Sequence, residues 1–330
     1  MIKIILVTGA SGRVGKHLVK ALSQKEKVRA LVHEDMIDTE NAEIFYGDVL
    51  DKNSLQKALK DVDTIYHLAA VVDYLAPKEL VFKVNVLGTK NLLELAGNKK
   101  IIYLSSTAVM GKKIKEMPAN EDITPNPSNY YGWTKLQAEK LVKEKNGIII
   151  RSAQIFGPGF AEGYNSIISK LDDGTFSIIG DGKNFIHWIH INDLIQALLL
   201  AEENGKPGEI YLVAGKEVKT LKEVLNLLCK YLEVEPPKKH VSRFMVEASS
   251  YLGVLKWKVR GDKPKIVPEY IDKITSNRTF DISKARKELG FDPQVSYEEA
   301  AKEMVEEYRK LKQMEEEKNK VTEEKSEDES

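Results

Sequence analysis

Tyr131 and Lys135 stand four residues apart in NYYGWTKLQAEKLV, a spacing that sets both on one face of a helix. A free phenol titrates near ~10 and is a poor proton shuttle at neutral pH. A neighbouring ammonium can lower that value by roughly 1–3 units, toward the range useful for acid–base work. The same ammonium can hydrogen-bond a ribose hydroxyl. Tyr130 has no such partner, because the residue four places on is Thr134. Upstream, Ser106 in LSST offers a hydroxyl that can hold a substrate oxygen opposite the tyrosine. A lone serine there also reads as a turn or cap residue. Its company in the chain favours the chemical reading.

That company begins at the N-terminus. A strand-like run enters Thr8-Gly9-Ala10-Ser11-Gly12-Arg13-Val14-Gly15 and continues as HLVKALSQ, a helical pattern. Glycines so spaced permit a tight turn, close backbone approach and close helix packing, so a pyrophosphate can sit on the helix N-terminus. Gly9, Ser11, Gly12, Arg13, Val14 and Gly15 are therefore expected to line a dinucleotide. The second strand ends Ala30-Leu31-Val32-His33 with no acid at its tip. Arg13 and His33 would suit a ribose phosphate, and Glu34 and Asp35 argue the other way. The reading leans to NADP over NAD, with His33 as a solvated turn residue the other possibility. Asp48 and Val49 follow the third strand, where a carboxylate can accept from an adenine amino group or cap the next helix. Leu68, Ala69 and Ala70 end the fourth strand, and small side chains there leave room for a flat cofactor.

Positioning these groups calls for alternating strands and helices. Apolar, β-rich runs at 2–7, 28–32, 44–46, 64–67, 101–104 and 148–150 alternate with helical patterns after Gly12, Asn53, Glu79 and Ser128. Such strands are covered on both faces, which predicts an α/β fold with a doubly wound parallel sheet. Residues 1–155 form the dinucleotide-binding part, with strands returning from about 186–213, among them 210–213. Residues 156–311 form a smaller C-terminal substrate lobe, with helices expected at 163–171, 192–202, 221–232, 245–252, 283–289 and 297–311. The charged stretch 312–330 is expected to be disordered.

Composition excludes several roles. Fifty basic residues balance fifty acidic ones, without the basic excess of a nucleic-acid binder. The one cysteine, Cys229, precludes an internal disulfide and falls at a core-facing helical position. No stretch approaches the ~20 apolar residues of a membrane span, and MIKIILVTGA is too short for one. The segment 243–258 mixes apolar, aromatic and cationic residues; it could brush a membrane surface, and a core-facing helix is the preferred reading. His187 and His190 lack a third ligand, so no metal is expected. These readings describe a soluble, cytoplasmic protein acting on a small molecule.

The chain resembles the extended short-chain dehydrogenase/reductases. The likeness runs through the TGASGRVG turn, YHLAA at 66–70, VNVLGTKNLLELA at 84–96 and LSST at 104–107. It continues through Tyr131 with Lys135, RSAQIFGPG at 151–159, IHINDL at 189–194 and DISKARKELGF at 281–291. It implies Tyr131 as general acid/base, Lys135 as its electrostatic partner and Ser106 as the substrate-oxygen anchor. Gly9, Gly12, Gly15, Asp48 and Ala69 would line the dinucleotide, and Asn85 would support the site. The backbone from Ser152 to Ile155 would face the nicotinamide. The helices bearing Asn85 and Tyr131 form dimer surfaces in such proteins, which makes a homodimer plausible.

Departures narrow the chemistry. Thr107 and Ala108 replace the Asp-Glu pair of nucleotide-sugar dehydratases, Met110 replaces an epimerase tyrosine, and Ile186 replaces a diphosphate-binding arginine. The better likeness is to the dihydroflavonol-reductase and steroid-dehydrogenase branch, through VVDYLAP at 71–77, GDGKNFIHWIHINDL at 180–194 and GDKPKIVPEY at 261–270. This implies reversible hydride transfer between a secondary alcohol or ketone and NAD(P); Met110, Tyr74, Phe160, Tyr164 and Trp188 would suit an apolar pocket, and ordinary core is the preferred reading of each. A nucleotide-sugar epimerase and a non-catalytic dinucleotide sensor or scaffold are the alternatives.

Overall fold

The computed structural model describes residues 3–328 apart from 36, 38, 40, 113, 115 and 265, with the backbone alone at 161–165 and 319–328. Strands β1 (Ile4–Thr8), β2 (Lys27–Val32), β3 (Ala42–Tyr46), β4 (Thr64–His67), β5 (Lys100–Ser106) and β6 (Ile148–Ser152) form one parallel sheet. A seventh strand, Ile210–Val213, pairs parallel with β6, the return expected for 210–213. The order is β3-β2-β1-β4-β5-β6 and then Ile210–Val213, so growth of the sheet reverses between β1 and β4. In doubly wound sheets the ligand crevice opens outside the strand C-termini at that reversal.

Both faces of the sheet are covered. Ile5 and Val7 join one core cluster and Leu6 the other, and Tyr66 and Ile65 divide in the same way. This is the two-residue period of a strand with a core on each side. Helices α1 (Arg13–Leu22), α2 (Lys52–Ala58), α3 (Lys78–Phe82), α4 (Thr89–Leu95) and α5 (Tyr130–Glu144) follow in chain order. Leu18 and Val19 of α1 pack on the Ile5 side, while Leu55 of α2, Leu92 of α4 and Ala138 of α5 pack on the Leu6 side.

The second half of the chain adds helices to the same core. Ile168, Leu225, Leu228 and Met304 belong to the cluster that contains Ile5 and Val7. Helices Leu221–Leu232 and Ser283–Leu289 match the expected bounds, and Ala161–Asp172 and Ile191–Asn204 extend theirs slightly. Pro268–Thr275 was not foreseen. It is two turns long and begins on proline, too short for a repeat of apolar positions to stand out in the sequence.

Two expectations are corrected. Helix Arg243–Arg260 is longer than the predicted 245–252, and Ser250 is its one buried residue; Val246, Val254 and Trp257 are half-buried on one side, while Phe244, Met245, Tyr251, Leu252, Leu255 and Val259 are exposed. The final helix, Tyr297–Asp328, runs on through most of the segment expected to be disordered, with 311–318 exposed. Glu and Lys are good helix formers, so a polar composition that cannot build a core can still extend an anchored helix.

Candidate active site

Asn129 caps α5, its Oδ1 accepting from the Gly132 N–H at 2.8 Å. The helix thus starts at Tyr130, and Tyr131 falls in its first turn, half-buried against the end of β5. The Tyr131 and Ser106 hydroxyls are hydrogen-bonded. Ser106 ends β5, and its Oγ also accepts from the Ala108 N–H at 3.1 Å, starting the short 3-10 turn Thr107–Met110. The Ser106 hydroxyl thus both caps this turn and lies beside Tyr131. Sheet register sets Ser152 beside it on β6.

Lys135 is 2% exposed. Its ammonium donates to the Leu104 carbonyl at 2.5 Å and lies 4.1 Å from the centroid of the Tyr103 ring. Burial lowers its pKa to about 7, against which Glu139, one helical turn on, pulls upward. Burial likewise raises Tyr131 to about 12, with the hydrogen bond to Ser106 acting downward. The expected depression of the phenol is thus not what the isolated chain shows. Desolvation outweighs the pairing for both groups. Behind Lys135, Glu139 accepts from Ser105 at 2.6 Å and from Arg151 at 3.0 and 2.8 Å. That buried ion pair went unread in the sequence because its halves lie on α5 and β6.

Asn85 lies in a π-helical segment, Lys83–Gly88, between α3 and α4. Its Oδ1 accepts from the Val71 N–H at 2.7 Å, and its amide donates to the Val71 carbonyl at 3.1 Å and to Thr134 Oγ1 at 3.0 Å. It therefore ties the loop after β4 to α5. His67 joins the same frame, 2.7 Å from Thr8 Oγ1 and 2.8 Å from Thr89 Oγ1. Since Thr89 Oγ1 donates to the Asn85 carbonyl at 2.7 Å, it must accept from His67 Nε2–H. Burial holds that imidazole at a pKa of about 3.

The Gly9–Gly15 turn lies at the sheet reversal. A Cβ on Gly15 would come within 2.1 Å of the Gly9 carbonyl oxygen, and Gly9 has φ +68° with Ala69 N 2.7 Å from where its Cβ would be. No side chain caps α1, and its first turn holds no acid. These features match the family model described as NAD dependent epimerase/dehydratase family over residues 5–214. The chain belongs to this family.

Among other members, mouse (Mus musculus) sterol-4-alpha-carboxylate 3-dehydrogenase, decarboxylating, is 27% identical, over 93% of this chain and 91% of that one. The crystal structure of gox2253 is 27% identical with a TM-score of 0.76, covering 94% of this chain and 98% of that one. UDP-glucuronic acid 4-epimerase from Bacillus cereus in complex with NAD is 24% identical, with a TM-score of 0.75 over 93% and 99% of the two chains. At that identity the likeness is one of fold. The chain is an enzyme of the extended short-chain dehydrogenase/reductase type.

The family's dinucleotide fits the residues present. The uncapped start of α1 offers N–H groups to a pyrophosphate. Ser11, Val14, Leu68, Ala69 and Ala70 are half-buried around the turn, and Val49 is buried. Asp48 accepts from the Leu50 N–H at 2.9 Å through Oδ1, and its Oδ2 lies 3.7 Å from His33 Nε2. Glu34 is 3.6 Å from the other His33 nitrogen. Arg13 instead extends over the Phe160 ring, 5.6 Å from its centroid. The two groups expected to share a ribose phosphate are thus engaged in different places. Ser152 is buried with its hydroxyl on the Ala153 carbonyl, and Ile155 pairs with Ile189.

Opposite Tyr131 the cleft is closed by residues the sequence did not single out as a group. The Tyr74 ring meets Tyr131 edge-on at 6.3 Å and Tyr270 at 5.4 Å. Lys273 sits 5.0 Å from the Tyr74 centroid and 5.7 Å from that of Tyr270. Burial, then Arg278 and Arg13, lower Lys273 to about 8. Asp272, its sequence neighbour, is taken by Arg278 at 3.1 Å and Arg243 at 3.5 Å. The Tyr74 hydroxyl is buried with no partner among the described residues.

Met110 is buried, and Trp188 packs with Phe156 and Tyr297 beside an apolar cavity of about 30 Å³ whose lining includes none of Ser106, Tyr131 and Lys135. The Tyr164 side chain falls outside the described residues. His187 bridges the Gly215 carbonyl and the Phe280 N–H, and His190 caps the helix Ile191–Asn204 while contacting Glu303 at 3.1 Å. Cys229 is buried.

Proposed function

We propose that this enzyme interconverts a secondary alcohol and a ketone on an apolar frame, with NAD(P) as hydride partner and Tyr131 as the acid–base group. The observation that carries the reading is the Tyr131–Ser106 hydrogen bond at the C-terminal end of β5, with the Lys135 ammonium buried one turn along the helix. A substrate oxygen that replaces this mutual bond meets two hydroxyls. In oxidation Tyr131 takes the alcohol proton while Ser106 holds the oxygen. In reduction Tyr131 returns the proton. Lys135 in its charged form stabilises the phenolate. The dinucleotide, when bound, accepts or supplies the hydride.

Tyr74 and Tyr270 offer apolar faces for the frame, and the mouse relative acts on a sterol 4α-carboxylate by its name. A carboxylate beside the reacting carbon would meet Lys273, which has no carboxylate partner among the described residues. Buried Ile186 and Met110 supply no cation for a nucleotide diphosphate. Net consumption of NADH or NADPH with a 3-keto steroid separates this reading from epimerisation, which leaves the cofactor unchanged overall.

Tyr131→Phe should keep dinucleotide affinity and lose turnover by ~100-fold or more. Unchanged turnover would remove Tyr131 from the chemistry. For the cofactor, the reading is NADP over NAD, with Arg13 of the glycine turn as the cation for a ribose phosphate. Arg13→Ala should then raise the Kd of NADPH at least ~10-fold more than that of NADH, followed by nicotinamide fluorescence. Equal weakening assigns Arg13 to the pyrophosphate alone. Leu80, Leu87 and Trp133, exposed on α3, the π-helical segment and α5, are the surface on which a homodimer would form.

A further inference from the structure

Helix Arg243–Arg260 is apolar on two opposite faces. At about 100° per residue, Val246, Ser250, Gly253, Val254 and Trp257 share the side turned toward the protein, each buried or half-buried. Phe244, Met245, Tyr251, Leu252, Leu255 and Val259 fill an arc of roughly 120° on the other side. All six are exposed, Phe244 at 78%, Val259 at 76% and Met245 at 69%. Scattered exposed apolar residues are ordinary, but six in one stripe mark an interaction face.

The charges select the partner. Lys256 and Lys258 fall on the two edges of the arc, and Arg260 and Lys263 follow them. The acids between 243 and 263 are Glu247 and Asp262, and Arg243 holds Glu247 at 3.0 Å. A second copy of the helix packed parallel would bring cations against cations, and an antiparallel one would set Lys256 and Lys258 against the apolar Phe244–Met245 end. A layer of anionic headgroups over acyl chains matches both features, since lysines at the margin reach outward while the stripe sinks. The helix is also joined to the cleft. Arg243 contacts Asp272 at 3.5 Å on the helix Pro268–Thr275, which carries Tyr270 and Lys273 against Tyr74.

We propose that helix Arg243–Arg260 is an interfacial helix that lays its Phe244–Val259 stripe on an anionic lipid surface and so holds the cleft mouth beside the membrane. That the substrate enters from the lipid rests on the apolar frame proposed above. The docking itself does not.

The test is co-sedimentation of the full chain with vesicles of phosphatidylcholine, alone or with about a third phosphatidylglycerol. The wild type should bind the anionic vesicles at least ~10-fold more tightly than neutral ones, and lose most of that preference at ~0.5 M salt. Leu252→Glu with Leu255→Glu should abolish sedimentation. Lys256→Glu with Lys258→Glu should remove the preference for anionic lipid. Both pairs are exposed, and an unchanged NADH titration would show that the fold is intact. Absence of wild-type binding to either vesicle overturns the proposal, as does equal binding by the Leu252/Leu255 variant. A wild-type dimer that this variant converts to monomer, without vesicle binding, assigns the face to a second copy. Activity enters none of these readouts, so their failure leaves the reading of Tyr131 untouched.

Discussion

Lys135 is costly to the fold at neutral pH, and the proposed chemistry calls for it. Its pKa falls from 10.5 to about 7 through burial, so the folded chain binds its proton less readily than the unfolded chain does. The sign follows directly: the stability tied to this group is fullest above about 10.5 and is lost as pH falls to about 7. At neutral pH a buried ammonium is thus a burden, offset in part by the Leu104 carbonyl and the Tyr103 ring. Lys135→Met fills similar space without charge. It should raise unfolding stability at neutral pH by about 1–3 kcal/mol while turnover falls to background. A denaturant titration beside an activity assay checks both. Loss of stability together with activity would show that the lysine holds the fold.

Among the elements, the strand ends and the irregular helix before α4 are the parts that build the site. The Gly9–Gly15 turn works because α1 must approach β1 and the end of β4 more closely than any side chain permits. The π-helical segment Lys83–Gly88 turns Asn85 toward both Val71 and Thr134, and such segments recur at functional sites. His67 locks the layer beneath, joining β1, β4 and α4 through hydroxyls on either side of its ring. Its pKa drops from 6.5 to about 3 through burial and the nearby Lys135. Protonation therefore opposes folding, and stability is lost as pH falls from about 6.5 toward about 3. By pH ~5 the loss should reach about 2 kcal/mol. Parallel denaturant titrations of wild type and His67→Gln at several pH values would show a shallower acid slope in the variant. Matching slopes would mean that other groups govern acid sensitivity.

At the scale of the whole molecule, one core cluster runs from the Ile5 face of the sheet into the helices of the second half. The lobe is thus an extension of the sheet's packing, and it sets Tyr270 and Lys273 over Tyr74. Among the described residues, no helix is long and apolar enough to cross a membrane. Six exposed apolar side chains collect instead along one side of Arg243–Arg260. Arg243 of that helix contacts Asp272 on the helix that carries Tyr270 and Lys273, so the proposed docking and the proposed chemistry are joined through one contact.

The parts readable in the sequence were those written in local patterns. Apolar runs marked the strands, glycine spacing marked the first turn, and Tyr131 and Lys135 declared their shared face by their four-residue spacing. Ser106 followed from its place at a strand end. The rest depended on contacts between distant segments, which no local pattern carries. The Glu139–Arg151 pair, the Tyr74–Tyr270–Lys273 wall and the separation of Arg13 from His33 are of this kind. So is the pKa order of Tyr131 and Lys135, because spacing shows proximity along a helix but says nothing of burial. Helix Arg243–Arg260 makes the same point: its composition allowed either a core or a surface, and only packing on one of its two apolar faces decided which face was left to the outside.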